Sequence, residues 1–541
     1  MCEHIVFVDC DQIHPYLMRS KRLRDIRGAS ARLSWVNETR TDGLLRTGWP
    51  GKHQPLFSAG GVTKAILSSE CDAAEFVRQV RRLYSPELPG LQITTHTEPL
   101  PDRNRLGEAI EKGEKRVRAL KDNKPGPRVV VTLPYFELCH GCGHEPAECP
   151  DTHAPGTEKG QEYPLLCPGC LKKRSTRDGD AGWEESPLKA FQDQLCDALR
   201  TRCGVAVEMP RDFSEVATGR ATPRAPGSDG AEDDPHGTDA YLALLFADAN
   251  NMGQAVSELQ TITEYADFSA AVAQATRNAL TEAVVAAFGS GLTRHAAESP
   301  NDPFLLPFQP LILGGDDVVC AVMADRALPL AKVLVERFAE GTRGDEAITA
   351  VRPTGLTIAA GVAIAKSKYP FHDLYELAGS LCREAKRACR DDRRTEPTRC
   401  AVDFLVVSSP RTPDFEELGD LRTCEVGEPK QKMELSGKPY ALNDPGAAPT
   451  LGGLIEAIQV LKAAEFPRKK LNDLPAIVRQ GEEAGKPTYD KWLKALQDGH
   501  RQAWLEACGT LGAAGAEGWP TVDGRAFAAD LVEIYDYVDG E

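Results

Sequence analysis

The sequence predicts an α+β protein in which one ferredoxin-like layout is used twice. Three observations predict it. Short apolar strands and amphipathic helices alternate in the same order from residue 5 and again from residue 241. Each copy opens with a strand that ends in an acid, Phe7-Val8-Asp9-Cys10-Asp11 and Phe246-Ala247-Asp248-Ala249-Asn250. Each then carries a glycine hairpin, Ser58-Ala59-Gly60-Gly61 and Gly314-Gly315-Asp316-Asp317. A hairpin inside alternating α and β units calls for an antiparallel sheet backed by helices, the palm or ferredoxin-like arrangement.

The elements follow in order. The first unit, residues 1–134, reads as a strand at 5–8, a helix at 19–36, strands at 54–58 and 62–67, a helix at 72–83, a strand at 91–96, a helix at 103–120 and a strand at 128–133. Residues 135–213 hold two CxxC pairs. Residues 214–238 are rich in Gly, Pro, Asp and Ser and read as a flexible linker. The second unit, 239–409, has a strand at 241–247, helices to about 288, the hairpin around Asp316, a helix at 325–340, a strand at 356–364, a helix at 374–390 and a strand at 401–407. Residues 410–541 begin with Pro- and Gly-rich connections and become helical. Leu454, Ile455, Ile458 and Leu461 fall on one face there, as do Phe527, Leu531, Ile534 and Val538.

Composition narrows the class. Of 541 residues, 41% are hydrophobic and 27% charged, as in an ordinary globular chain. No apolar run reaches the ~18–20 residues of a membrane span, and the first residues lack a signal-peptide pattern, so a cytoplasmic protein with no membrane partner is expected. A net charge of −16 argues against nucleic acid binding over the whole surface, though a local basic patch or nucleic-acid-bearing partners remain open.

The hairpin carries the chemistry. Gly314 and Gly315 permit a tight turn that raises Asp316 and Asp317 side by side. Two adjacent carboxylates repel each other unless a hard cation neutralises them, and Mg²⁺, or Mn²⁺ in its place, is the usual one. Asp248 ends the strand that lies beside this hairpin in a palm sheet, so three acids converge on one or two ions. Such ions activate an attacking hydroxyl and neutralise a triphosphate. An ordinary polar hairpin and a strand-end cap are the plainer readings. Asn250, Asn251 and Gly253 form a polar turn into a helix, where backbone N–H groups meet phosphate oxygens. Lys386 lies on the helix between the last two strands and reaches a triphosphate as a point charge. Aligning Val62 with Val318 leaves the first hairpin without either acid, so the first unit reads as a degenerate twin.

Sixteen cysteines are too scattered for a disulfide framework. Cys139, Cys142, Cys167 and Cys170 form two knuckles whose four thiolates fit a closed tetrahedral Zn²⁺ site. Cys149 and His153 lie in the loop between them and offer replacements for a knuckle thiol. A redox dithiol is the alternative.

Taken together, residues 248–253, 313–317, 361–366 with Tyr369-Pro370-Phe371, and Ala385-Lys386 resemble the catalytic palm of the large subunit of type III CRISPR effector complexes, the Csm and Cmr complexes. The first unit resembles that family's non-catalytic palm through residues 23–30 and 58–61. The resemblance implies a synthase of cyclic oligoadenylates from ATP, with guide RNA, target RNA and other effector subunits as partners and target RNA as the switch. It implies Asp248 and Asp316 as metal ligands and Asp317 as ligand or hydroxyl activator. Asn251 and Gly253 would contact nucleotide, Lys386 phosphate, and Ser30 would lie near a second nucleotide. Gly314 and Gly315 would frame the bound nucleotide. Two departures stand out. Asn250 replaces an acid that the family commonly has. The palm starts at residue 5, which leaves no room for an HD nuclease, and His372-Asp373 reads as structural. The basic run Arg468-Lys469-Lys470 favours a subunit or RNA-backbone contact. Other classes remain: a stand-alone cyclic dinucleotide synthase, and a non-catalytic scaffold.

Overall fold

The computed structural model describes residues 2–20, 22–123, 137–151, 164–221, 240–390, 399–408, 422–426, 431–442, 449–513, 519–522 and 524–539. β1 (Glu3–Asp11) is buried on both faces. Ile5 and Phe7 join one core and Val6, Val8 and Cys10 another, as alternation along a doubly covered strand requires. Gln12, at φ 50°, turns the chain into α1 (Ile13–Met18). Then come α2 (Leu23–Ser34), a wide turn at Trp35–Arg40 and α3 (Thr41–Gly48). A single helix over 19–36 is therefore corrected to a broken run. Ser20 donates to Asp25 Oδ2 at 2.8 Å and accepts from the Arg22 N–H at 3.4 Å, which diverts the backbone before α2.

β2 (His53–Ala59) and β3 (Val62–Leu67) form the first hairpin. α4 (Glu70–Glu87) starts where Ser69 caps the Asp72 N–H, and β4 (Gln92–Leu100) and α5 (Leu106–Asp122) follow. The sheet order is β2-β3-β1-β4, antiparallel throughout. The strand expected at 128–133 lies outside the described residues.

In the middle segment β5 (Cys149–Pro150) pairs with β6 (Leu165–Leu166), and α6 (Pro168–Ser175) starts at Cys167. α6 lies so close to α2 that a Cβ on Gly28 would stand 2.2 Å from the Lys173 carbonyl oxygen. α7 (Ala181–Glu184), α8 (Pro187–Cys203) and β7 (Val207–Glu208) complete the segment. The expected linker at 214–238 begins later than its composition suggests. α9 (Phe213–Thr218), capped by Asp212 and closed by Gly219 at φ 63°, takes its first residues. Residues 222–238 lie outside the described set.

The second unit repeats the first. β8 (Tyr241–Ala249) leads through Asn251, at φ 55°, into α10 (Met252–Ser257). The left-handed residue thus follows Asp248 by as many positions as Gln12 follows Asp9, and both short helices have six residues. α11 (Ile262–Glu298) opens on a Thr261–Glu264 capping box and runs further than expected. β9 (Phe304–Leu305) pairs with β7. Then come β10 (Phe308–Gly314), β11 (Asp317–Met323), α12 (Ala324–Arg343), α13 (Glu346–Thr349), β12 (Ile358–Lys366), α14 (Phe371–Ala388) and β13 (Cys400–Val406). Past them lie β14 (Thr423–Val426), β15 (Gln431–Glu434) and β16 (Tyr440–Leu442). The large sheet runs β10-β11-β8-β12-β13-β16, so its first four strands repeat the order of the first sheet. β16 belongs to this palm although its sequence falls in the 410–541 segment. Three residues are too few to show a strand period.

The remainder is mainly helical: α15 (Leu451–Ala463), α16 (Arg468–Val478), α17 (Glu482–Lys494), α18 (Asp498–Thr510) and α19 (Ala528–Ile534). Both expected apolar stripes are buried. The short β17 (Thr521–Val522) and β18 (Arg525–Ala526) join β14 and β15 in a small sheet.

The two palms pack reciprocally. α1 of the first lies against α14 of the second, and α10 of the second against α5 of the first. The hairpins meet between them: a Cβ on Gly314 would stand 2.9 Å from Gly60 Cα.

Candidate active site and metal centres

β8 and β11 are neighbours, with Val318 opposite Ala247, so Asp317 falls one step further on, beside Asp248. Gly315 takes the left-handed turn position at φ 66° and leaves Asp316 an ordinary backbone. Carboxylate oxygens of Asp248, Asp316 and Asp317 then lie within 4.8 Å of one another. The fold thus brings together the three acids that the sequence singles out. Lys386, in the last turn of α14, forms an ion pair with Asp248 and donates to the Ala249 carbonyl at 3.0 Å.

Burial and neighbouring charge oppose the ionisation of the two hairpin acids. Burial and the charge of Asp248 push Asp316 up to about 7. Burial, then Asp316 and Asp248, hold Asp317 well above the carboxylate range. A hard divalent cation relieves the same repulsion without protons, and this all-oxygen donor set is the kind Mg²⁺ or Mn²⁺ takes.

Asn251 is the half-buried left-handed residue before α10, and Gly253 is exposed, with open space where a Cβ would stand. Asn250 is buried and turned aside. Its Nδ2 donates to Thr357 Oγ1 at 2.9 Å and its N–H to the Thr357 carbonyl at 2.8 Å. In this chain the third motif position ties β8 to the start of β12. Ser30 is buried on α2, which packs on α6 and β10. His372 and Asp373 are exposed in the first turn of α14 and enter no metal-binding group among the described residues. Arg468 stacks on Tyr535 and donates to the Val532 carbonyl at 2.8 Å, so it is engaged within the C-terminal segment.

The first palm keeps half of this arrangement. Lys121 Nζ lies 2.7 Å from Asp9 Oδ1 and 3.6 Å from Asp11 Oδ1. Lys121 follows Thr94, the β4 partner of Asp9, by as many residues as Lys386 follows Ala359, the β12 partner of Asp248. That equal spacing was a signal in the sequence for Lys121. The strand register also moves the hairpin alignment by one residue. Asp9 pairs with Val62, so Val62 stands where Asp317 does and Gly61 where Asp316 does. The hairpin acids are absent in the corrected register too.

One feature of the seam escaped the sequence reading. His14, on α1, meets Tyr375 and Phe246 of the second palm at ring-centroid distances of 5.3 and 6.1 Å, and its Nδ1 hydrogen-bonds the Tyr375 hydroxyl. His14 follows Asp9 by the same number of positions as Gly253 follows Asp248, the signal that marks it as a site neighbour.

The four knuckle thiols also converge. Cys139, Cys142, Cys167 and Cys170 are buried, with sulfurs within 4.8 Å of one another and Cys142 Sγ 4.0 Å from Cys167 Sγ. A tetrahedron with Zn–S bonds of ~2.3 Å has edges of about 3.8 Å, so the four fit Zn²⁺ with little movement. The Gly141 N–H points at Cys139 Sγ (3.3 Å) and the Cys170 N–H at Cys167 Sγ (3.4 Å), contacts that favour thiolates. Cys149 sits on β5 outside this group, and His153 lies outside the described residues.

The site is thus that of a palm with a carboxylate cluster at the hairpin. Residues 241–394 match the family model for Cas10/Cmr2, second palm domain. This stretch, from the first residue of β8 to just past α14, contains the whole triad with Lys386. No curated protein matches the chain. Among solved structures it is similar to the Csm1–Csm4 cassette in complex with pppApA, at 14% identity and a TM-score of 0.43, covering 74% of this chain and 54% of that one. It is similar to the apo cassette at 14% identity and 0.45, covering 99% and 69%. For the cassette in complex with one ATP the values are 14%, 0.46, 91% and 64%. The chain spans about half the length of the first of these. No helix among the described residues is long and apolar enough to cross a membrane.

Proposed function

We propose that this chain is the nucleotidyltransferase subunit of a type III CRISPR effector complex, joining ATP into cyclic oligoadenylates when target RNA pairs with the guide. One observation carries the reading: three carboxylates within 4.8 Å, at a Gly-Gly-Asp-Asp hairpin, inside the segment that matches the Cas10/Cmr2 second palm. Asp248, Asp316 and Asp317 would hold Mg²⁺ or Mn²⁺. Bound there, the ion supplies charge neutralisation for the triphosphate and a lower pKa for the attacking 3′-hydroxyl. Lys386, ion-paired with Asp248, would hold that carboxylate at the cluster and contact phosphate. Asn251 and Gly253, in the turn that follows Asp248, would contact the nucleotide, and Gly253 would let it approach the backbone. Gly314 and Gly315 let the acid-bearing turn fit against the first palm. The reaction joins the 3′-oxygen of one ATP to the α-phosphorus of another, with pyrophosphate leaving. Cys139, Cys142, Cys167 and Cys170 would hold a structural Zn²⁺. Ser30, on the buried α2, would act on a second nucleotide only by shaping the first palm.

The test is ATP with Mg²⁺ or Mn²⁺, with and without partner subunits, guide RNA and target RNA. RNA-dependent oligoadenylate is the expected product. Constitutive product would favour a free-standing cyclase, and none under any condition a scaffold. Asp316→Ala with Asp317→Ala should abolish product while leaving fold and zinc content intact. Residual synthesis by that variant would place the chemistry elsewhere.

A further inference from the structure

A cavity of about 700 Å³ opens where the first palm, the cysteine module and the second palm meet. It is separate from the carboxylate cluster. Leu242, near the start of β8, and Lys366, at the end of β12, line it, whereas Asp248 sits near the other end of β8. At ~3.3 Å per residue the two sites stand roughly 20 Å apart along the strand.

The floor is apolar. Met18 and Leu242 contribute to it, with Phe213 stacked on Phe371 at 4.6 Å. The rim is basic, with Arg19, Lys366 and Lys368 beside His144 and His372. Glu145, the carboxylate among the described lining residues, is paired with Arg19 at 2.9 Å. α14 begins at this rim with no side-chain cap on Pro370, so the backbone N–H groups of its first turn stand beside the lysines, in a turn that also carries the exposed Asp373. Among the described lining residues Arg19, Lys366 and Lys368 stand against the single carboxylate of Glu145, in a chain of net charge −16.

We propose that this cavity binds a nucleoside phosphate, its base on the apolar floor and its phosphates at Lys366, Lys368 and the first turn of α14. The volume is that of a small-molecule pocket, and a bare phosphate would leave the floor unfilled. The site stands on its own lining, whatever chemistry the carboxylates perform. It shares α14 with Lys386, so an occupant would bear on the helix that steadies Asp248.

The experiment titrates the full chain with ATP, adenosine and inorganic tripolyphosphate in EDTA, where the carboxylates have no cation through which to hold a triphosphate. One ATP per chain should bind without metal. Because each lysine would give a charged hydrogen bond to phosphate, Lys366→Glu with Lys368→Glu should weaken ATP at least tenfold. Both lysines are exposed, and a melting curve checks the fold. Lys368→Met, a milder change, should weaken it severalfold. Asp316→Asn with Asp317→Asn should leave this binding unchanged, and adenosine and tripolyphosphate should each bind at least tenfold less tightly than ATP. No metal-independent binding, binding indifferent to the lysines, or tripolyphosphate binding as well as ATP would overturn the proposal.

Discussion

Lys386 and Lys121 occupy equivalent places in the two palms, and their surroundings show what a working site needs. Each holds the acid that ends its first strand, but only Lys386 faces two further carboxylates on the hairpin. Removing Lys386 leaves Asp248 with the repulsion of Asp316 and Asp317 alone. Lys386→Met should therefore lower oligoadenylate formation by roughly 10²-fold, the scale of losing one preorganised charged donor, with the melting curve little changed. The acids of the site were legible in the sequence because a short motif names them. Asn250 was not, because its partner, Thr357, lies 107 residues away. Glu38 was equally hidden. It sits in the wide turn after α2, where burial lifts it to about 7, against the pull of Arg277. The folded chain keeps a proton there that the unfolded chain releases above about 4.5. Stability from this group is thus lost as pH rises from about 4.5 to about 7 and stays lower above. Glu38→Gln should raise stability at pH 8 by about 3 kcal/mol and change little at pH 4. Urea melts at the two pH values measure the difference.

At the scale of elements the hairpin is the critical piece, because its position is set by the other palm. A Cβ on Gly314 would meet Gly60 Cα at 2.9 Å and Gly60 N at 3.1 Å, and both are backbone atoms that cannot swing aside. Gly314→Ala should cost about 1–3 kcal/mol of stability, as overpacking does, and should reduce product by moving the acids. Gly253→Ala places its methyl in open space and should stay within about 0.5 kcal/mol of the parent. Thermal melts of the two variants side by side separate contact from composition. Strand and helix order was readable because apolar period and turn glycines are local signals. The break between α1 and α2 was not, since it depends on a hydroxyl competing for the backbone near Ser20. Nor was β16, whose three residues become a strand only by pairing with β13.

For the whole molecule, the cysteine module is what joins the first palm to the rest on one side. The sequence revealed the knuckles but not this role, which rests on contacts between distant segments. α6 starts at Cys167, and its next turns reach across the boundary. Lys173 Nζ donates to the Tyr16 carbonyl on α1. Arg174 pairs with Asp25 of α2 at 2.8 Å and with Asp151 of the module, all three side chains being buried. Gly28 brings the two helices into backbone contact. A metal that fixes Cys167 and Cys170 would fix the origin of α6, and with it α2, α1 and His14 at the seam with α14. Cys139→Ser with Cys142→Ser should empty the zinc site and free α6. Uncoupling the buried Arg174 pair alone costs about 3–5 kcal/mol when one partner is lost. The variant should therefore melt well below the parent and lose the proposed oligoadenylate synthesis with Asp248, Asp316 and Asp317 still present. Cys149→Ser should keep both zinc and activity, because Cys149 stands outside the four-sulfur group. Metal analysis and melting curves on the two variants decide the matter. A zinc-free chain that melts with the parent would show that side-chain packing alone holds α6 to the palm.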